Sequence, residues 1–183
     1  MMKSDISNLF KHTLQLFGYD IYGAINELNT IQSFSEDEFK NWHNKQKWAI
    51  AKFHYQNNSF YKKLVGDFFP DDWDDLPILE KSHFTDDTFS FISKMFNSKN
   101  TYVAKTSGSS GNALTFFKNK YAHAMDWAII LDRYGWYNLD NKMEARFFGI
   151  SSKVNYRMKE KLKDLIMKRY RFSLIDLSES SFE

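Results

Sequence analysis

The chain contains no cysteine. Disulfides and thiolate metal sites are therefore excluded, and a reducing compartment is the reading that goes with this. Prolines number two and glycines seven in 183 residues, which leaves room for long regular elements with few breaks. A dominant charge is also missing. The 25 basic residues against 23 acidic give a net +2, too little to imply a nucleic-acid partner. No apolar run is long enough to span a bilayer, the longest being broken by Lys, Asp or Asn. Met1-Met2-Lys3-Ser4-Asp5 lacks the apolar core of a secretory signal. Together these absences predict a soluble, cytoplasmic protein without a membrane span. No internal repeat is present.

What the chain does have is rings: 18 Phe, 10 Tyr and 5 Trp. Disordered chains are poor in aromatics, so disorder is excluded, and the length suits one sizeable core. Residues 5–28 place Ile6, Leu9, Phe10, Leu14, Leu16, Phe17, Ile21, Ile25 and Leu28 mostly at helical spacing, with Gly18 and Gly23 as weak points. Ser35-Glu36-Asp37-Glu38 is a capping box. It predicts a helix to about residue 55, with Phe39, Trp42, Ala49 and Phe53 along one face. Asn57-Asn58-Ser59 ends that helix, and a short helical turn over 60–65 precedes Gly66. A further short helix is expected over 80–91.

From Thr101 the texture changes. Strands are expected over 101–106, 113–118, 144–149 and 171–175, with helices over 120–133 and 153–169 between them. Strands alternating with helices predict an α/β architecture. Residues 1–100 form a mostly helical section, and 101–183 a β-loop-β region with the α/β units that follow. Ser178 to Glu183 read as the start of another helix, so one incomplete domain is expected overall.

The most specific feature is Thr106-Ser107-Gly108-Ser109-Ser110-Gly111, between Tyr102-Val103-Ala104 and Ala113-Leu114-Thr115-Phe116-Phe117. Glycines let the backbone turn tightly and present its N–H groups, and the hydroxyls add donors. Such a loop can wrap the oxygens of a phosphate chain. It is not a Walker A loop, because no Gly-Lys-Ser/Thr follows the glycines. A flexible linker is argued against by the strand-like residues pressed on both sides. A plain turn between two strands remains open on the residues alone, although a six-residue polar loop is longer than that task requires.

Other groupings point to structure. Asp72-Trp73-Asp74 superficially matches the Asp-x-Asp metal site of sugar-nucleotide transferases, but Asp is favoured in turns and helix caps and is read so here. His12, His43, His54, His83 and His123 show no metal-ligand spacing, and each is read as an ordinary position. Ser107-Gly108-Ser109-Ser110-Gly111 fails the spacing of a Gly-x-Ser-x-Gly nucleophile elbow. Lys153, Arg157, Lys159, Lys161, Lys163 and Lys168 make the 153–169 helix basic, open in principle to nucleic acid, anionic lipid or an acidic carrier. A solvated face is the reading adopted, with Val154, Met158, Leu162, Leu165 and Ile166 as its buried stripe. Lys81 is read as exposed.

Three segments carry a family resemblance. Tyr55-Gln56-Asn57-Asn58-Ser59-Phe60-Tyr61-Lys62-Lys63-Leu64 is similar to an N-x-P-F-Y-R-x-L segment, with Ser59 in place of the proline. Asp75-Leu76-Pro77-Ile78-Leu79-Glu80-Lys81 is similar to D-L-P-x-x-x-K, and Thr106 to Gly111 to a phosphate-binding loop. In order and spacing the chain resembles the N-terminal part of the adenylate-forming enzymes, in the branch with phenylacetate–CoA ligases and capsular polysaccharide biosynthesis proteins. Arg171 to Ser178 looks like a later segment of that branch.

The resemblance implies an α/β fold in which a helical N-terminal section precedes the first part of the mixed β-sheet of the acyl-adenylate-forming N-terminal domain. It implies an ATP-dependent, AMP-forming ligase that joins a carboxylate to a thiol or other acceptor. Thr106, Ser107, Gly108, Ser109, Ser110 and Gly111 would cradle the triphosphate of ATP, where charge builds up as pyrophosphate leaves. Mg2+ is expected with the nucleotide, held chiefly by phosphate oxygens and water.

The sequence also departs from the family. Gly111-Asn112-Ala113 stands where Gly-x-Pro is usual, and Tyr134-Gly135-Trp136-Tyr137 lacks the Thr-Glu of the magnesium motif. The ribose-binding Asp and catalytic Lys would lie beyond residue 183. No catalytic residue and no metal ligand is assigned to this chain, and a second polypeptide supplying the missing part is one implied partner. The alternative is a non-catalytic binding domain, or an inactive remnant, that keeps the fold without turnover.

Overall fold

The structure is a computed structural model that describes residues 6–84, 92–97, 100–106, 114–139, 142–148 and 158–173. It is mixed α/β, with helices α1 (Ile6–Leu16), α2 (Ile21–Gln32), α3 (Glu36–Asn57), α4 (Ser59–Val65), α5 (Lys120–Trp136) and α6 (Met158–Ile166). Among the described residues the strands are β1 (Thr101–Lys105), β2 (Thr115–Asn119), β3 (Glu144–Phe148) and β4 (Arg169–Ser173). They form two two-stranded sheets, β1–β2 antiparallel and β3–β4 parallel. Two compact units result, one from Gly23–Met125 and one from Met1–Tyr22 with Asp126–Glu183. No helix among the described residues is long and apolar enough to cross a membrane.

The helical stretch expected over 5–28 divides where its first weak residue stands. Gly18 takes a positive φ of 78°, the Gly18 N–H donates to the Gln15 carbonyl and the Tyr19 N–H to the Leu14 carbonyl. That pair of bonds is a Schellman cap, which uses glycine because a Cβ is strained there. Gly23 is carried inside α2 without a break.

α3 begins as its capping box requires. The Ser35 hydroxyl accepts from the Glu38 N–H, and the Glu38 carboxylate accepts from the Ser35 N–H at 2.8 Å. Its inner face differs from expectation, because Phe39 and Ala49 are exposed while Ala51 is buried. Ring partners decide this. Trp48 meets Trp73 and Phe69 edge-on at 5.4 and 6.0 Å, and Tyr55 meets Phe69 at 5.2 Å. Trp48, Ala51 and Tyr55, at i, i+3 and i+7, therefore set the face. Asn58 then closes α3 and opens α4. Its N–H donates to the His54 carbonyl at 2.8 Å, and its side-chain oxygen accepts from the Tyr61 N–H at 2.9 Å. Gly66, at φ 98°, ends α4.

Only a 3-10 turn, Lys81–Phe84, forms within the described part of the helix expected over 80–91; residues 85–91 lie outside the described residues. β1 and β2 pair from Thr101↔Asn119 to Lys105↔Thr115. The Asn119 side chain then accepts from the Ala122 N–H at 2.6 Å, an N-cap bond that starts α5 directly at the end of the strand.

In the other unit, Phe10 packs edge-on against Trp127 with centroids 4.7 Å apart. β3, α6 and β4 form a parallel β-α-β unit in which α6 packs on β4. Of the stripe expected to bury α6, Ile166 is half-buried, whereas Leu165 is 75% and Leu162 57% exposed. Asp164 turns inward instead and ion-pairs with Arg171 at 2.8 Å.

Candidate functional site

The Ser/Gly segment is approached through its two described neighbours. Thr106 donates its N–H to the Leu114 carbonyl at 2.9 Å, and the Thr106 hydroxyl accepts from the Leu114 N–H at 2.9 Å. This extends the β1–β2 register by one pair and holds Thr106 and Leu114 to each other. The threonine hydroxyl accepts in this bond and so keeps its proton to donate elsewhere. Ser107, Gly108, Ser109, Ser110 and Gly111 lie outside the described residues.

β2, the strand that follows Leu114, forms one wall of a cavity of about 650 Å³. Thr115, Phe116 and Phe117 supply that wall. A second wall comes from Ile50, Ala51 and His54 of α3 with Asn58, Phe60 and Tyr61 at the start of α4. The third runs through Trp73 and Asp74 to Leu76-Pro77-Ile78-Leu79, with Phe84 beyond. All of these residues belong to the Gly23–Met125 unit. Parts of two segments that looked separate in the sequence, 55–64 and 75–81, thus meet at one cavity beside the strand that follows the third.

The cavity's polar groups are few. His54 is partly buried, and burial holds its imidazole below the ordinary range. Its Nδ1 lies 3.4 Å from the Ser93 hydroxyl, and its ring stands edge-on to Tyr61 at 6.3 Å. The Lys94 N–H donates to the Asn57 carbonyl at 3.0 Å, which fixes the Ser93 backbone against the end of α3. Burial also raises the Tyr61 phenol above its ordinary value. A serine beside a histidine invites a nucleophilic reading, but Ser93 is only 4% exposed. A substrate carbonyl has no approach to its oxygen, and the pair is structural.

Asp72 accepts from the Asp74 N–H at 3.0 Å and caps the 3-10 turn Trp73–Asp75. The Asp-x-Asp resemblance is thereby a cap, as the residue preferences indicated. Among the described residues no three of His, Asp and Glu come together as a metal-binding group. Lys81 is exposed at the start of its 3-10 turn.

A second charged cluster lies on the β3–β4 pair. Glu144 pairs with Arg169 in register and Arg146 with Arg171, so three guanidinium groups share one face of the ladder. The Glu144 carboxylate accepts from Arg146 Nε at 2.6 Å and from Arg169 Nε at 3.3 Å. Arg146 Nη2 donates to the Tyr134 hydroxyl at 3.2 Å. Burial works to raise the Glu144 carboxyl, but the hydrogen bonds from Arg146 and Tyr134 and the charges of Arg146 and Arg169 hold it below the usual range. Burial and the neighbouring arginines lower Arg169, whose buried Nη2 has no hydrogen-bond partner.

Sequence reasoning singled out the loop and passed over the cavity. His54 was read as an ordinary helix position, and Phe116 and Phe117 as flanking strand. The available signal was the crowding of rings between 48 and 84, but a tertiary wall has no spacing rule. No protein-family model matches the chain, and no curated protein or solved structure gives a significant match.

Proposed function

We propose that the chain is the N-terminal part of an ATP-dependent, AMP-forming carboxylate ligase of the acyl- or aryl-CoA type, acting in capsular or surface polysaccharide biosynthesis. In this reading the helical section and the first strands belong to the acyl-adenylate-forming N-terminal domain, and Thr106 to Gly111 hold the triphosphate. The supporting observation is the bond pair between Thr106 and Leu114. It holds Thr106 beside Leu114, the described residues on either side of 107–113, which is compatible with a phosphate-wrapping loop.

The donor chemistry of the segment fits a triphosphate. Four hydroxyls and the backbone N–H groups are available in Thr106-Ser107-Gly108-Ser109-Ser110-Gly111, and none of the six residues carries a negative charge. ATP supplies the leaving group that activates the carboxylate, with Mg2+ on its phosphate oxygens. The chain's own part is to bind and orient the phosphates and to offset their charge with fixed donors, without reorganisation at the moment of reaction.

Isothermal titration of Mg2+–ATP into the chain and into a Gly108→Asp/Gly111→Asp double variant tests this. Two carboxylates there repel phosphate and block the backbone's approach. Saturable binding that the double variant abolishes is the expected result. Equal heats from both proteins, or none from a folded wild-type chain, overturn the assignment of the loop.

A further inference from the structure

We infer that the cavity between α3, α4, residues 73–79 and β2 is a binding site for a flat, uncharged aromatic molecule, and that it discriminates against the corresponding carboxylate. Its volume of about 650 Å³ falls within the roughly 300–1,000 Å³ usual for small-molecule sites, which are also apolar with a few polar groups. Rings and branched side chains dominate the walls, with Phe60, Trp73, Phe116 and Phe117 offering faces and edges for a flat ligand. The inference concerns a site separate from the Ser/Gly loop and does not rest on nucleotide binding.

Charge decides the ligand class. The described lining contains no lysine and no arginine, and the one carboxylate in it is Asp74. Two lysines lie over rings of the lining, Lys47 over Trp73 at 4.7 Å and Lys118 over Phe116 at 5.6 Å from the ring centroids, and neither is itself part of the described lining. His54 and Tyr61 bring no charge at neutral pH, because burial lowers the first and raises the second. An anion entering the cavity loses water and meets no opposite charge in the described lining, where Lys47 and Lys118 are engaged on ring faces, and that is a penalty in an apolar surround. A neutral ring meets only favourable walls. Hydrogen-bonding groups of His54, Tyr61 and Thr115 lie along the lining and suit a ligand with a single N–H or O–H.

Two probes of matched ring, indole and indole-3-acetate, separate the possibilities in titrations of the full chain without nucleotide, followed by calorimetry and ligand-observed NMR. Saturable binding of indole is expected, with the acetate weaker by about tenfold or more, a factor equal to the loss of one compensating interaction. Ile78 stands at the edge of the cavity, 85% exposed, so Ile78→Lys leaves the fold intact and supplies the missing cation. The variant is expected to narrow the ratio of the two affinities by several-fold. Ala51→Phe fills the cavity and is expected to abolish indole binding where it folds. Absence of indole binding, equal or tighter binding of the acetate, or an unchanged ratio in Ile78→Lys overturns the inference. Each of these outcomes leaves the ATP titration with the glycine double variant unaffected.

Discussion

The cavity wall and the β3–β4 face solve the same problem in opposite ways. Both place titratable groups out of water. Around the cavity, His54 meets a hydroxyl at 3.4 Å and no described carboxylate, so burial wins and the imidazole stays neutral. On the β3–β4 face, Glu144 meets Arg146 at 2.6 Å, and there the ion pair wins over burial. A buried ion survives only with its partner in hydrogen-bond reach, because desolvation of a lone charge costs more than a distant charge returns. Partner distance therefore separates the two regions more than burial does. One region has a described lining without lysine or arginine, and the other pairs its two carboxylates with its own arginines.

The largest effect is expected from breaking the charged side. Glu144→Gln leaves Arg146, Arg169 and Arg171 on one face with Asp164 as their remaining described carboxylate partner. Removing one member of a fully buried pair costs roughly 3–5 kcal/mol. Glu144 is 21% exposed at its side chain, so a loss of about 2 kcal/mol is expected. Urea unfolding should show a lower midpoint with an unchanged slope. The sign with pH follows from the depressed carboxyl. The Glu144 contribution is present above the ordinary carboxylate value and is lost as pH falls through the lower folded value. The variant should lack that part of the acid dependence. A loss below about 0.5 kcal/mol, the size of a surface pair, contradicts the comparison.

These two regions were unequally legible in the sequence. Local chemistry was readable: the Ser35 box, the break at Gly18, the Asn58 junction and the short helix before Gly66 all stand where residue preferences put them. Strand positions were readable to within two residues, because β-rich runs are bounded by Asn, Gly and charged residues. Partnership was not. The inward Asp164 and the exposed Leu165 reverse the hydrophobic stripe of α6, since an ion pair with Arg171 across the unit outranks the period of the helix. The cavity was equally hidden, its walls arriving from residues 50 to 117. Of the loop itself, Thr106 alone falls among the described residues.

Asn58 offers a sharper and smaller test on the neutral side. It is buried, and its side chain supplies the N-cap bond to Tyr61. Asn58→Ala should cost about 1–2 kcal/mol, the usual value of such a cap. Asp caps a helix as well as Asn does, so Asn58→Asp would be neutral on an exposed helix. Here it places a carboxylate beside the cavity without a described cation in the lining, and a loss at least equal to that of Asn58→Ala is expected. A neutral Asn58→Asp would mean that this region tolerates charge after all.

His54 extends that test to pH. Its folded value is depressed, so well above the ordinary imidazole value both folded and unfolded states hold it uncharged and it adds no pH dependence. Below the ordinary imidazole value, about 6.5, the unfolded chain takes up the proton first and stability falls. The fall ends once the folded state is protonated as well. Denaturation midpoints between pH 7 and pH 5 should show this decline in the wild type, smaller than the Asn58→Ala loss. His54→Phe should flatten it, and an unchanged slope in that variant would place the titrating group elsewhere.

The smallest expected effect lies at the entrance to β4. Lys168 takes φ 48° between α6 and the strand, a conformation that costs a residue with a Cβ about 1 kcal/mol. Its carbonyl accepts from the Glu144 N–H at 2.9 Å, so this backbone fixes where the ion-paired carboxylate enters the ladder. Lys168→Gly removes the strain and one positive charge, and a gain of about 0.5 kcal/mol is expected after the entropy that glycine adds to the unfolded chain. Lys168→Gln separates the two contributions, since Gln removes the charge but tolerates this conformation no better than Lys, whereas Asn is favoured in it. Asn138, at φ 53° in the Schellman cap of α5, already shows that choice. If Lys168→Gln gains as much as Lys168→Gly, loss of the positive charge is the operative cause. If only glycine gains, the cause is the backbone, and the charges of β3–β4 are balanced without help from residue 168.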